Sequence, residues 1–487
     1  MNRRELLTML GTLPFCGCAG RPSGIEVNDV HSRLNPTRVA RLIEPASLAD
    51  VQAAVRESAS SRQGISIAGG RHAMGGQQFG ANTALIDMRG MHRVLGFDAE
   101  RGLIEVEAGI EWPELVTYTH AAQRNASRQW GIVQKQTGAD KLTIGGALAA
   151  NAHGRGLTFA PIVQDVESLE LVDADGELVR CDRRQNRELF RLAIGGYGLF
   201  GVITSVTLRL ALRRKLERRV EMIDVEELSA AFSERIDQGY LYGDFQFSIE
   251  PSSTDFMHRG ILSAYRPVPD DTPMPGDQRV LRPEDWSQLI MLAHTDKARA
   301  FELYTNHYLA TDRQIYWSDD HQMSTYLDHY HLDIDRREGA RFPASEMITE
   351  LYVPRAALAA FLDAARTDFR QHGVEVIYGS IRLIERDDET FLRWAREPWA
   401  CIVLNIHVVH SAKGQRHAKD ALQRLVDTAI GFGGNYYLTY HRHASRSQIE
   451  ACYPQFREFL SQKRIYDPEE RFQSDWYRHY RDLFAHT

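Results

Sequence analysis

The chain has 487 residues, of which 43% are hydrophobic and 25% are charged, the proportions of an ordinary soluble globular protein. This length exceeds what one hydrophobic core organises, so two domains, or a discontinuous large domain plus an insertion, are expected. The formal net charge of −7 argues against nucleic acid as the main partner, because no basic excess is present to neutralise phosphates, and a small-molecule partner is expected instead.

Residues 1–24 differ in character from the rest of the chain. The Arg3–Arg4 pair, a short apolar run and then small residues are typical of a bacterial export signal of the twin-arginine type. We therefore expect a periplasmic or exported protein. Cys18 could serve as a lipid anchor, although Cys16 breaks the usual lipoprotein pattern, and a merely disordered amino terminus is the alternative.

The remainder of the chain shows neither a membrane span nor a cysteine framework. From Glu26 onward no stretch approaches the ~20 apolar residues that a transmembrane helix needs, so no transmembrane domain is expected. Cys181, Cys401 and Cys452 show no paired spacing, so neither a disulfide framework nor a metal site is predicted.

A first α+β unit begins at Arg41. A strand-like run, a helix beginning near Ser47 and a second strand lead into Ser66 to Gly80, where five glycines surround His72. Further strands and a helix follow to Gln123. Such a glycine cluster either makes a tight turn or lets the backbone approach a ligand closely.

Two more glycine clusters follow, each beside a strand. A second α+β unit starts with the glycine-rich segment Gln136 to Gly156, continues through a hairpin whose turn is "DADG", and ends on a helix, a glycine-rich turn and a strand that reaches Leu210. The repeated placement indicates one extended ligand that the backbone approaches from several sides.

Beyond Arg213 the glycines thin out and aromatic residues and histidines increase. Residues 214–433 alternate strand-like and helical runs, which predicts a second domain with an antiparallel sheet covered by helices. The segment Ser263 to Trp286 is rich in proline and aspartate, so we expect a loop there, lying over a cleft. Residues 434–487 form a C-terminal segment with a helix between two aromatic-rich ends.

The order of four motifs now becomes informative. "GGRHAMGGQ", "TIGGALAANAHGRG", "LELVDADGELV" and "GGYGLFGVIT" together resemble the FAD-binding domain of the vanillyl-alcohol oxidase and para-cresol methylhydroxylase (PCMH) family over Arg41 to Leu210. The resemblance implies an α+β fold, with a two-subdomain PCMH-type FAD-binding domain at 36–213, an α+β cap at 214–433 and a tail at 434–487 that returns to the FAD domain. The cap and tail look most like the sugar, aldonolactone and alditol oxidase branch.

The resemblance also implies which residues bind FAD. The backbone of glycine-rich turns can hold the pyrophosphate without a basic side chain. The implied residues are Gly69, Gly70, Arg71, His72 and Ala73 in the first loop, Gly138, Thr143, Gly145, Gly146, Asn151, His153 and Gly154 in the second, and Gly198, Gly201, Val202 and Ile203 in the third. His72 stands where relatives with covalent flavin carry the attaching histidine; a non-covalent histidine packed on the ring is the alternative.

By the same resemblance, Arg382 and His407 fall at substrate-contacting positions of the alditol oxidase branch, and Tyr440 and His441 fall near the tail motif "HWGK" of the sugar oxidases. These four are the predicted catalytic residues. Two departures are visible, since Ser380 replaces a carboxylate of that branch and Ala444 replaces the lysine of the tail motif.

Three functions remain open at this stage. The favoured one is an FAD-dependent oxidase or dehydrogenase that removes hydride from a CH–OH group of a sugar, polyol or lactone-like substrate, with oxygen or another electron acceptor. The others are a flavin-dependent C=C reductase resembling sterol C24 reductases, which would need a reductant such as NAD(P)H, and a flavin-binding protein with a degenerate site.

Overall fold

The computed structural model describes residues 24–485. The predicted twin-arginine and lipid-anchor signals, with Arg3, Arg4 and Cys18, lie outside the described residues. Within the described part of the chain, none of the helices combines the length and the apolar composition required to cross a bilayer. Cys181, Cys401 and Cys452 are buried free thiols.

The amino-terminal half carries the short elements expected around the glycine-rich segments. Its strands are β1 (Ile25–Val27), β2 (Thr37–Val39), β3 (Arg41–Ile43), β4 (Ile65–Ala68), β5 (Ala84–Asp87), β6 (Val94–Asp98), β7 (Leu103–Glu107), β8 (Trp130–Gly131), β9 (Val166–Val172), β10 (Leu178–Asp182), β11 (Val202–Arg209) and β12 (Ala211–Leu212). Its helices are α1 (Leu48–Ser61), α2 (Trp112–Ala122), α3 (Ile144–Ala150) and α4 (Arg187–Ala193).

These strands form two main sheets, a parallel sheet of order β3-β5-β4 and an antiparallel sheet of order β10-β9-β11-β7-β6. Helix α1 begins where the sequence predicts, because the side chain of Ser47 caps it by accepting a hydrogen bond from the backbone N–H of Asp50. Val51 and Val55 on α1 pack in one cluster with Val172 and Val202 of the antiparallel sheet. The helix thereby joins the two sheets.

The second half is built on one large antiparallel sheet. Its strands are β13 (Lys215–Asp224), β14 (Tyr242–Phe247), β15 (Arg259–Pro267), β16 (Ile315–Trp317), β17 (Ala344–Pro354), β18 (Val376–Ile384), β19 (Trp399–Val409) and β20 (Asn435–Tyr436). Its helices are α5 (Val225–Asp237), α6 (Pro283–Thr295), α7 (Lys297–Leu309), α8 (Tyr330–Glu338), α9 (Leu358–His372) and α10 (Ala412–Gly431). The strand order is β16-β13-β15-β14-β18-β19-β17-β20.

Two features of this half differ from the sequence-based expectation. The proline-rich segment is shorter than predicted, because β15 continues to Pro267 and α6 begins at Pro283, where a proline suits the first turn of a helix. Helices α6 and α7 form a hairpin that the apolar pattern does not reveal, since both are only partly buried. They contact β13, β15 and β18, whereas α9 and α10 contact β17 and β19.

The tail consists of α11 (Arg446–Cys452), α12 (Phe456–Tyr466) and α13 (Asp475–Ala485). Beyond α12 it runs beside β4, where Ile65 and Phe472 form a parallel bridge. The Ile65 N–H donates to the Arg471 carbonyl, and the Gln473 N–H donates to the Ile65 carbonyl, both at 2.6 Å. Residues 471–473 thus lie against the strand that leads into the first glycine-rich loop.

Candidate active site

An elongated cavity of about 730 Å³ runs from the three glycine-rich segments to the inner side of the large antiparallel sheet and on to α6 and α7. Its walls are mostly backbone and small side chains at the glycine-rich end, and aromatic, arginine and carboxylate side chains at the other. The cavity therefore connects the two halves of the chain.

The first glycine-rich loop lines this cavity along its whole predicted length, from Gly69 through Arg71 and His72 to Ala73. A Cβ atom at Gly69 would stand 2.0 Å from Oγ1 of Thr143, and one at Gly70 would stand 2.3 Å from the carbonyl oxygen of Lys141. Only glycine allows the first and second loops to approach this closely.

The second loop contributes Gly138, Thr143, Gly145 and Gly146 to the wall. Thr143 is the N-cap of α3, because its hydroxyl accepts a hydrogen bond from the Gly146 N–H at 3.2 Å. Gly138 has a φ of +97°, and a Cβ there would meet nothing within 4 Å. The positive φ favours glycine, and its N–H donates to Oγ of Ser324 at 3.0 Å, while the space beside its Cα is open to a ligand.

Asn151, His153 and Gly154 lie beyond the predicted wall. The side chain of Asn151 donates to Asp387 at 2.9 Å and accepts from the Val163 N–H at 3.3 Å. It therefore fixes the end of α3 against the second half instead of contacting a ligand. His153 and the backbone of Gly154 are likewise occupied by protein partners.

Three of the four positions named in the third segment lie at the cavity wall. Gly198, Gly201 and Ile203 line the cavity. Val202 instead packs in the cluster around α1, because successive residues of a strand face opposite sides. Gly201 has a φ of +145°, and a Cβ on it would meet the Val172 carbonyl oxygen at 2.8 Å, so glycine is required there.

His72 is held by two ring contacts. Its Nε2 lies 2.8 Å from the carbonyl oxygen of Lys141, and its Nδ1 lies 2.8 Å from Nε2 of His31. Since the carbonyl can only accept, Nε2 carries the hydrogen and Nδ1 keeps the lone pair. Burial lowers the pKa of His72 to about 4, so the ring is neutral at pH 7.

Glu350 on β17 is the centre of a buried polar network. Its carboxylate accepts hydrogen bonds from Tyr440 Oη at 2.8 Å and from Tyr352 Oη at 2.7 Å, and it lies 2.8 Å from Nε2 of His153. The other ring nitrogen of His153 lies 3.0 Å from the Gly154 carbonyl oxygen. Both partners of the ring are acceptors, and a ring with a hydrogen on each nitrogen would satisfy both of them.

This arrangement determines the charge of Glu350. Burial by itself would raise the pKa of the carboxyl group, but the positive charge and hydrogen bond of His153 outweigh it and lower the pKa to about 2. The carboxylate is therefore ionised at neutral pH. It also lines the cavity.

Two of the predicted catalytic residues, Arg382 and Tyr440, lie at this network. Arg382 lines the cavity, is 5% exposed, and its Nε has no hydrogen-bond partner. Tyr440 donates to Glu350 and accepts from Nε2 of Gln136 at 3.0 Å. Burial and the charge of Glu350 hold the pKa of Tyr440 well above its ordinary value, so it remains a phenol.

The other two predicted catalytic residues lie elsewhere. His441 is 1% exposed, and its Nε2 lies 3.2 Å from Oγ1 of Thr349. Burial holds the pKa of His441 well below its ordinary value, so its ring is neutral at pH 7, and it is not among the residues that line the cavity. His407 faces Glu346 on β17, with Nδ1 at 3.6 Å from a carboxylate oxygen.

Sequence reasoning missed Glu346 and Glu350, although a signal was present. Every second residue of β17 from Glu346 through Ile348 to Glu350 lines the cavity, which is the period of a strand with one face toward a ligand. Carboxylates at two of three such positions in a largely buried strand indicate a functional face.

The residues along the cavity are suited to FAD. Polar atoms without hydrogen-bond partners are buried along its wall, among them Arg71 Nε, Gln78 Oε1 and Thr137 Oγ1 near the glycine-rich end. Native structures rarely leave such atoms unsatisfied. A long ligand with polar groups would supply partners for these atoms. It would contact backbone at one end of the cavity and charged side chains at the other.

Comparison with known proteins agrees with this geometry. Residues 39–182 match the family described as FAD binding domain. The chain is similar to an uncharacterized oxidoreductase, ORF5 of the fasciation locus of Rhodococcoides fascians, at 29% identity over 37% of this chain and 40% of the relative. It is similar to the mitochondrial L-galactono-1,4-lactone dehydrogenase of Arabidopsis thaliana at 29% identity over 38% and 29% of the two chains.

A longer match extends through the cap. The L-gulono-1,4-lactone dehydrogenase of Mycobacterium tuberculosis is 23% identical over 91% of this chain and 95% of its own length. The chain therefore spans less than half of the first two relatives and nearly all of this one. The match of residues 39–182 to an FAD-binding domain identifies FAD as the cofactor.

The Glu350–His153 pair leads to a pH-dependence prediction. Because the folded pKa of Glu350 is lowered to about 2 from 4.5, the pair stabilises the fold above about pH 5, and this contribution is lost as the pH falls toward 2. A shift of this size corresponds to about 3 kcal/mol. At pH 7 we expect the free energy of unfolding of the wild type to exceed that of Glu350→Gln by about this amount. The difference should shrink steadily as the pH falls to 3.

His153→Gln provides the matched control for this prediction. If the ion pair is responsible, Glu350→Gln should cost much less in the His153→Gln background, since the two residues are coupled. The measurement is thermal unfolding of the four proteins across the pH range. Additive effects of the two substitutions, or a difference that does not change with pH, would contradict the prediction.

Proposed function

We propose that this chain is an FAD-dependent oxidoreductase that oxidises a CH–OH group of a sugar, polyol or lactone-like small molecule. The observation that carries the proposal is one continuous cavity. It joins the glycine-rich loops of the FAD-binding domain to Arg382 and Glu350 on the large antiparallel sheet of the second half, which we call the cap sheet. The names of two relatives, which are dehydrogenases of L-galactono- and L-gulono-1,4-lactone, support a hydroxylated lactone as the substrate type.

Bound FAD supplies the hydride-accepting centre, its N5 atom. The protein has to orient the reacting carbon and stabilise the oxygen as its proton leaves. The Arg382 guanidinium, with an unused donor, is suited to stabilise negative charge on that oxygen. The Glu350 carboxylate, whose low pKa makes it a weak base, would accept a hydrogen bond from the substrate hydroxyl and orient it, and Tyr440 and His153 hold the carboxylate in place.

The cap end of the cavity suggests an additional substrate feature. At this end α6 contributes Trp286 and Leu289 to the wall and α7 contributes Phe301 and Tyr304, beside charged side chains such as Arg218. Burial of apolar surface here would contribute roughly 25 cal/mol per Å². We propose that the preferred substrate carries an apolar or aromatic portion beyond the reacting CH–OH group.

We also propose that His72 binds the flavin covalently at the 8α carbon. Supporting this, its ring is neutral, Nδ1 retains the lone pair, and the side chain lines the cavity in the first glycine-rich loop. His31 Nε2 lies against the same nitrogen at 2.8 Å and would have to move aside when a bond forms.

For localisation we propose export by the twin-arginine route to the periplasm. The support is the Arg3–Arg4 pair ahead of a weakly apolar run, and this route suits a protein that folds around its cofactor before export.

The first prediction concerns the reaction. In the absence of oxygen, a hydroxylated lactone, polyol or sugar should bleach the flavin, and compounds with an apolar substituent should do so at lower concentration. Arg382→Ala should reduce the bleaching rate on the order of 100-fold with FAD content unchanged. The control is Arg386→Ala, because Arg386 is about half exposed and pairs with Asp388 instead.

Stopped-flow absorbance of the flavin is the measurement, and admission of air or of an artificial acceptor afterwards identifies the electron acceptor. Bleaching by NAD(P)H but by no hydroxylated compound would refute the proposal in favour of a C=C reductase.

The second prediction concerns His72. Wild-type protein denatured in detergent should keep flavin fluorescence on a gel, and His72→Ala should lose it while still binding FAD reversibly. His120→Ala, a half-buried histidine beside Asp319 outside the cavity, should behave as wild type. If acid precipitation releases all of the flavin from wild-type protein, the flavin is not covalently bound.

The third prediction concerns export. Changing Arg3 and Arg4 together to lysine should leave the folded, FAD-loaded protein in the cytoplasm, because the twin-arginine route recognises that pair. Fractionation of cells followed by immunodetection measures this outcome. Unchanged recovery outside the cytoplasm would argue against the route.

A further inference from the structure

Three side chains from distant parts of the chain meet beside the cavity. Glu346 on β17 and His407 on β19 are direct cross-strand partners in the cap sheet, so their side chains share one face. His294 near the end of α6 approaches the same point. One carboxylate oxygen and one nitrogen from each imidazole all lie within 4.8 Å of one another. We call these three residues the His–Glu–His cluster.

The ligand atoms of this cluster are buried and have no hydrogen-bond partner. The side chains of His294, Glu346 and His407 are 7%, 6% and 17% exposed. Nε2 of His294, Oε1 of Glu346 and Nδ1 of His407 each lack a hydrogen bond. Three unsatisfied buried atoms that face one point are rare in native proteins, where such groups are normally paired.

The distances match a metal centre better than a hydrogen-bonded pair. Glu346 Oε1 lies 3.2 Å from Nε2 of His294 and 3.6 Å from Nδ1 of His407, yet neither contact has hydrogen-bond geometry. Ligand atoms at 2.0–2.1 Å from a tetrahedral zinc ion are about 3.3 Å apart. Two of the three separations therefore already approach those of an assembled site.

The surroundings also fit a metal. The second oxygen of Glu346 accepts a hydrogen bond from the Tyr330 hydroxyl, the kind of outer contact that orients a ligating carboxylate. No lysine or arginine forms an ion pair with Glu346 among the described residues, so the buried carboxylate lacks a permanent cation.

From these contacts we propose that His294, Glu346 and His407 bind a divalent transition-metal ion of the zinc type. Two imidazoles and a carboxylate are a ligand set that zinc accepts, and they leave a coordination position for water or a substrate oxygen. The sequence shows no metal motif, because the ligands are separated by 52 and 61 residues and meet only through sheet register and the placement of α6.

Two other groups of potential ligands do not carry the same inference. In the first, His153, Glu350 and Cys401 are already joined by hydrogen bonds within the active site. In the second, Arg213 forms ion pairs with Asp319 at 2.9 Å and with Asp320 at 3.0 Å. The two carboxylates beside His120 therefore already have a cationic partner.

Because the His–Glu–His cluster joins α6 to two strands of the sheet, a bound ion would have a structural role. Helix α6 forms part of the cavity wall, and a metal shared by α6 and two strands would fix that wall against the sheet. Glu346 lies four residues before Glu350, about 13 Å away along the strand. The ion would therefore hold the far part of the substrate pocket and not the reacting carbon.

The test uses the full chain with FAD bound, free of any histidine tag and stripped of metal by a chelator. Calorimetric titration should show one Zn²⁺ per chain, and Zn²⁺ should raise the melting temperature. Glu346→Gln should weaken Zn²⁺ binding at least tenfold and lose the thermal shift. Asp320→Asn, which alters the His120 group, is the control and should bind Zn²⁺ as wild type does.

Co²⁺ provides a readout on unmodified protein. Bound by this ligand set, it should give the intense visible absorption of a low-coordinate site, and Zn²⁺ should displace it. If Glu346→Gln fails to retain FAD, His407→Ala replaces it and the Co²⁺ spectrum of wild type decides. Absence of stoichiometric binding, or loss of binding only in Asp320→Asn, would overturn the proposal and leave the cluster as a charged hydrogen-bonded group without metal.

Discussion

The buried contact between His153 and Glu350 connects the parts of this molecule. His153 belongs to the amino-terminal half, Glu350 to the cap sheet, and Tyr440, which donates to the same carboxylate, to the tail. A buried carboxylate is stable only where several donors converge on it. The ion pair therefore requires all three segments to be in place, and it fixes the cap at a set distance from the cofactor loops.

The two ends of the cavity are built on different physical principles. At the cofactor end the chain offers backbone, and Gly69 and Gly70 allow two loops to come closer than any side chain would permit. At the cap end, strands carry Arg382, Glu346 and Glu350 on one face of a sheet. Such a division leaves the cofactor site unchanged while side chains on the sheet adapt to different substrates.

This division also explains what the sequence could predict. The glycine-rich loops are local in sequence, and each motif states a backbone requirement, so most of the residues named from them do line the cavity. Asn151, His153, Gly154 and Val202 do not line the cavity, because the direction in which a residue points depends on the tertiary fold. Glu350 and the partners of His407 depend on strand register across the cap, which no short motif encodes. The apolar pattern did not predict helices α6 and α7, because a half-exposed hairpin over a cavity lacks a clear apolar stripe.

The path of the tail has a consequence for biosynthesis. Residues 471–473 pair with Ile65 beside the first glycine-rich loop, and Tyr440 completes the network around Glu350. The ribosome synthesises these residues after all three glycine-rich loops, so a nascent chain that already contains every loop still lacks both contacts. The surroundings of the cofactor site are therefore assembled from segments made early and late, and they are complete only once residues 440–473 have emerged.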